Sequence, residues 1–172
     1  RMRPRIALLL LLFVTGADVA ALTVTVNGPA GDAASPEVAA RLRRVDSDAA
    51  VQQISLRIGA ATELDVRAGT WEIIVTSDEV WAAPLYASAS DAATLKLWPR
   101  GEIFGTVGDA APASGELLLH FSPANPASDA PSGVSTCDFS DRKWRCPVPA
   151  GLFDVRLALA GFATEFRWNA LV

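Results

Sequence analysis

Two cysteines, Cys137 and Cys146, bracket the run CDFSDRKWRC. If Ser140 to Lys143 forms the loop of a hairpin, Cys137 faces Cys146 and Phe139 faces Trp144 on the same side of the ribbon. A disulfide there closes a loop of about ten residues and contributes on the order of 2–3 kcal/mol. The spacing is not the C-x-x-C of a redox pair, and two thiols with no nearby histidine make a poor metal set. The chain's only histidine, His120, lies in the apolar run LLLHF, an ordinary strand position around which no Ser-His-Asp set assembles. Asp138 and Asp141 resemble a carboxylate pair, but Arg142 and Lys143 follow directly, so a solvated turn is expected rather than acid–base chemistry. Asp46 and Asp48, in RRVDSDAA, would at best hold a calcium ion weakly. The run NGPAG lacks the lysine and the helix of a phosphate loop. No cofactor and no metal are expected.

The tryptophans are the remaining candidates. Trp71 alternates with aliphatic residues and is expected in the core, whereas Trp81 and Trp144 stand beside polar or charged residues near turns. Those two are the candidate ligand contacts, since exposed flat rings could stack on sugars.

The elements that position these residues are written twice. At an offset of 82, LDVRAGTWEIIV (64–75) aligns with CPVPAGLFDVRL (146–157): Val66 on Val148, Gly69 on Gly151, Trp71 on Phe153, Ile73 on Val155. Ala-Gly makes a tight turn, with Gly69 and Gly151 supplying a backbone angle that a Cβ resists. The alternating aromatic and aliphatic residues that follow describe a strand buried on one face. Upstream, LTVTVNG (22–28) resembles EIFGTVG (102–108), and each is followed by a second strand, at 38–45 and 115–124. The first of these has a helical rival, because Ser35 could cap, Pro36 suits a first turn, and Val38, Leu42 and Val45 share a helical face. The repeat favours the strand. Segments 51–59 and 93–101 read as further strands, with Trp98-Pro99-Arg100-Gly101 breaking the chain between copies. Short strands with regular turn signals indicate an all-β sandwich.

The phrase VPAGLFDVRLALAGFA (148–163) resembles the closing hairpin of carboxypeptidase regulatory-like domains, of the transthyretin-like and Cna-B-like group of sandwiches. LKLWPRGEIFGTV (95–107) resembles the way such modules are joined. In the first copy Arg67 replaces the proline and Val80 stands in place of the second glycine. The resemblance implies two tandem β-sandwich modules, 22–99 and 100–172, attached to something else, and carries over no catalytic residue. By the repeat, a closing strand of the second module would begin near 175, so that module is expected to lack its last strand and the chain to be part of a longer protein.

Composition bounds the setting. The 172 residues are 51% hydrophobic and 20% charged, enough to bury a core. Arg1, Arg3 and Arg5 precede the apolar run Ile6 to Val14, and the small-residue stretch TGADVAA ends at Ala21. This is the pattern of a signal peptide over 1–21, too short in its apolar run to span a bilayer. Its removal takes away three arginines and one aspartate, making an already acidic chain (net charge −4) more so. That argues against nucleic acid and anionic membranes. The abundance of alanine and of arginine over lysine hints at a bacterial source. The expectation is an exported, non-enzymatic structural or protein-binding module, its partners being other domains of a longer chain or envelope proteins. The alternative is a carbohydrate-binding module using Trp81 or Trp144.

Overall fold

The computed structural model describes residues 19–28, 37–48, 50–162 and 164–172, and among these every regular element is a β-strand. The body of the leader and residues 29–36, with the expected cap and first-turn residues Ser35 and Pro36, lie outside the described residues.

The first half contains β1 (Val19–Asn27), β2 (Glu37–Arg44), β3 (Gln52–Arg57), β4 (Ala61–Arg67), β5 (Thr70–Val75), β6 (Val80–Trp81), β7 (Leu85–Ser88) and β8 (Ala92–Lys96). Two sheets form, in the orders β4-β1-β8 and β3-β2-β5-β7. Period-two patterning explains them. In β2, Val38, Ala40 and Leu42 are buried while Glu37, Ala39 and Arg41 are exposed, an alternation no helix would give. Leu22, Val24 and Val26 of β1 meet Leu42, Leu56, Trp71 and Ile73 of the other sheet in one core, the mark of a sandwich.

The second half contains β9 (Trp98–Thr106), β10 (Gly115–Pro123), β11 (Gly133–Ser140), β12 (Lys143–Pro149), β13 (Leu152–Ala158) and β14 (Glu165–Leu171). With β6 they run β14-β13-β10-β11-β12-β9-β6. The ribbon is joined in the middle by the tip of the β11–β12 hairpin, Phe139↔Trp144 and Ser140↔Lys143. Residues from both of its ends share a second core, including Leu119, Phe121 and Phe153 with Cys146, Val148 and Trp81.

The pairing registers of the halves correspond. Leu22 pairs with Leu64 in the first half and Ile103 with Cys146 in the second; Trp71 pairs with Ala87, and Phe153 with Ala170. The Ala-Gly turns correspond as well: Ala89 N–H donates to Gly69 C=O, as Val172 N–H does to Gly151 C=O. Gly69 and Gly151 have φ of +136° and +149°, in the region that favours glycine.

Val19, Ala20 and Ala21, the last residues of the expected leader, pair with Arg67, Val66 and Asp65 of β4 at the start of β1. One expectation is corrected. The chain does not break at 98–101. β9 begins at Trp98 and carries Pro99 inside it, tolerated because its missing N–H faces the β12 side beyond the last pair of that ladder, Pro149↔Arg100. The division at residue 99 therefore falls within a strand, and β6 packs its Trp81 into the second core.

Candidate functional site

Cys137 and Cys146 form a disulfide with a Cα–Cα distance of 5.3 Å. The hairpin that carries it turns on Asp141 and Arg142, with φ of 50° and 61°, the backbone of a two-residue turn that matches strand twist. Both sulfurs, Phe139 and Trp144 point into the same core.

The two tryptophans singled out as ligand contacts are not on the surface. Trp81 is 9% and Trp144 8% exposed. Trp81 meets Phe121 edge-to-face at 5.5 Å, and Phe121 meets Phe153 in the same way at 5.7 Å. Trp144 lies under Gly105, where an added Cβ would stand 2.7 Å from its Cζ2. A glycine opposite the ring is what lets so large a side chain enter the core there. Lys143 and Arg145, which made Trp144 look exposed in sequence, are outward members of β12, whereas Asp78 and Glu79 near Trp81 lie in the bend ahead of β6. Trp71 is buried, its Nε1 donating to Arg67 C=O at 2.9 Å. Trp98 is half-buried under Lys96, whose Nζ stands 4.1 Å from the ring centroid. The side chain of Trp168 lies outside the described residues.

The polar candidates separate rather than converge. His120 is half-buried on β10, between Val134 and Arg156 of the adjacent strands. Asp138 and Asp141 are exposed, and Asp46 pairs with Arg44 at 2.7 Å, drawing its charge away from a cation site with Asp48. Among the described residues no three His, Cys, Asp or Glu side chains are arranged to hold a metal ion. One polar cluster escaped the sequence reading. Glu72, 4% exposed, receives Arg43 Nε at 2.8 Å and the Tyr86 hydroxyl at 2.7 Å. The hydrogen bond to the Glu72 carboxylate, then burial, hold the Tyr86 phenol above its ordinary value of 10.0.

One concave feature is shallow, about 470 Å³, with His120, Ser122, Ser132, Asp154 and Arg156 along its walls. A larger one is a groove of about 710 Å³ between β9 and the β13–β14 hairpin. Ile103, Val107, Leu117, Trp144, Leu157 and Leu159 are among the residues that line it. Glu102, Glu165 and Arg167 are its charged members. Two hydrophobic side chains beside it are strongly exposed, Phe104 at 75% and Leu171 at 85%. The sequence trace of this groove is Gly105, which stands between Ile103 and Val107 in the alternating pattern of β9.

No protein-family model and no curated protein matches the chain. Among solved structures it is similar to the Bacillus anthracis TIE protein, at 11% identity and a TM-score of 0.34, over 89% of this chain and 32% of that one. A streptococcal ancillary pilin is similar at 10% identity and a TM-score of 0.34, over 89% of this chain and 60% of the pilin. A leucine-rich repeat protein from Bacteroides thetaiotaomicron is similar at 13% identity and a TM-score of 0.37, over 86% and 23%. The chain thus spans less than two thirds of the length of each.

Proposed function

We propose that the chain is a non-enzymatic, extracytoplasmic structural or protein-binding unit, built as two tandem copies of one β-sandwich within a larger envelope or secreted assembly. The observation that carries this reading is the groove. Its walls are mostly aliphatic and aromatic, with Glu102, Thr106, Glu165 and Arg167 as polar members. Such a surface suits apolar side chains flanked by a few polar contacts. The buried disulfide supports export, since such bonds persist in oxidising compartments. So does the arginine-flanked apolar run at the N-terminus. Among the described residues no helix is long and apolar enough to cross a membrane. The carbohydrate alternative rested on exposed Trp81 and Trp144, and both rings are in the core.

The test is expression of the full chain in an export-competent bacterium, followed by fractionation and intact-mass analysis. The protein is expected outside the cytoplasm, without free thiols. Its N-terminus is expected no later than Val19, because residues 19–21 pair with β4. A cytoplasmic protein with two free thiols would overturn the reading.

A further inference from the structure

The two halves treat one position of their outer faces differently. In the first, Glu72 of β5 lies opposite Arg43 of β2 and is sealed there. Arg43 places Nε 2.8 Å and Nη2 2.6 Å from Glu72 Oε2, and the Tyr86 hydroxyl of β7 donates to Oε1 at 2.7 Å. The same offset of 82 that aligns Trp71 with Phe153 puts Asp154 of β13 in the place of Glu72. Its partner across the ladder is Ser122 of β10. Where β7 brings Tyr86, the ladder of β13 with β14 bulges between Phe153 and Val155, and a backbone group, Asn169 N–H, donates to Asp154 Oδ1 at 2.9 Å. The carboxylate is thus kept, while the guanidinium and the phenol that closed over it give way to short groups.

Open space stands in their place. Ser122, Ser132 and Asp154 line the shallow concavity of about 470 Å³ and also an adjoining one of about 480 Å³ beside the loop 124–132, so the two form one trough. Its loop wall is fixed: Ala124 N–H donates to Leu152 C=O, Ser128 N–H to Asn125 C=O and Ala130 N–H to Ser128 Oγ. Asp154 is half-buried, and among the described residues its Oδ2 makes no hydrogen bond or ion pair. The hydroxyls of Ser122 and Ser132 are likewise without partners among them.

The walls select the occupant. A carboxylate oxygen between two hydroxyls suits a guanidinium, whose planar fork gives one N–H to Asp154 Oδ2 and others to the serine oxygens. Pro126, Ala130 and Val134 offer apolar surface to the methylenes behind it. His120 and Arg156 face one another across the ladder two residues further along, away from the loop, so a cation reaches Asp154 from the loop side. The net charge of −4 also favours a basic partner.

We propose that this trough is a docking site for an arginine side chain presented by a partner polypeptide, its guanidinium taking the place over Asp154 that Arg43 takes over Glu72. The proposal rests on the protein-binding reading above and names the chemistry of the partner at a second site.

The probe is the peptide acetyl-Ala-Ala-Arg-Ala-Ala-amide, titrated at low salt into the isotopically labelled full chain. The expected result is saturable shifts confined to the amides around Ser122, Ser132 and Asp154, with the citrulline and lysine versions of the peptide binding at least about tenfold more weakly. Asp154→Asn keeps an acceptor for Asn169 N–H and is expected to lose the binding. Ser122→Arg supplies a guanidinium from the chain itself, as Arg43 does, and is expected to block the peptide with the circular-dichroism spectrum unchanged. Absence of saturable shifts overturns the proposal, as does equal binding of the citrulline or lysine peptide, or undiminished binding to Ser122→Arg. Free arginine binding more tightly than the peptide assigns the trough to a small molecule and overturns it. Shifts at these amides that grow with protein concentration, without peptide, assign it to a second copy of the chain and overturn it too. Export and thiol content do not depend on Asp154, so failure here leaves the proposed function standing.

Discussion

Tyr86 and Glu72 show how much a single buried carboxylate governs. Glu72 sits on the outer face of its sheet, yet Arg43 and Tyr86 close over it. Because the folded phenol titrates above its unfolded value, the interaction stabilises the fold below pH 10 and is lost as pH rises through the higher folded value. Glu72→Gln removes both the charged acceptor and its repulsion of the phenolate, so the Tyr86 midpoint is expected to move down. As the chain has one tyrosine, phenolate absorbance reads this site alone. The glycine turn is the second residue-scale constraint. Gly151→Ala forces a Cβ into a backbone region nearly reserved for glycine and to 3.1 Å from Phe153, and is expected to cost about 1–3 kcal/mol in urea unfolding.

Among elements, the β11–β12 hairpin does the most for the second half. It is the seam by which the strands on either side become one ribbon, and only two residue pairs hold its tip. The disulfide further down fixes the two strands where their backbone pairing stops. Replacing Cys137 and Cys146 together by alanine is expected to cost about 2–4 kcal/mol. The same loss of midpoint on adding reductant to the parent protein, with none in the double variant, would assign the effect to the bridge.

On the scale of the whole molecule, the junction is tied rather than hinged. A single residue, Leu97, separates β8 from β9. Arg100 Nη1 donates to Ser77 C=O at 2.7 Å, Lys96 reaches Asp129 at 3.2 Å, and Trp81 of the first half is packed among the rings of the second. The two exposed ion pairs at this junction, Arg100–Asp78 and Lys96–Asp129, contribute little. The buried indole contributes most. Trp81→Ala is expected to cost about 3–5 kcal/mol. It is also expected to split one unfolding transition, followed by circular dichroism, into two. A single transition of unchanged midpoint would show that Trp81 does not couple the halves.

Local pattern was enough for much of this. Alternation over 38–44 and 71–75, the Ala-Gly corners and the cysteine spacing are each settled by neighbours a few residues away, so the strands, the turn glycines and the disulfide were legible in the sequence. Surface and interior were not. Trp144 is flanked by Lys143 and Arg145, and Trp81 follows Asp78-Glu79-Val80; only the tertiary contacts, with Gly105 opposite one ring and Phe121 beside the other, put them inside. The start of β1 at Val19 depends on a partner more than forty residues away, Arg67. The groove between β9 and the β13–β14 hairpin is likewise made by strands more than forty residues apart. Burial and edge exposure are properties of which strands meet, and that is a long-range decision the sequence encodes only through the whole fold.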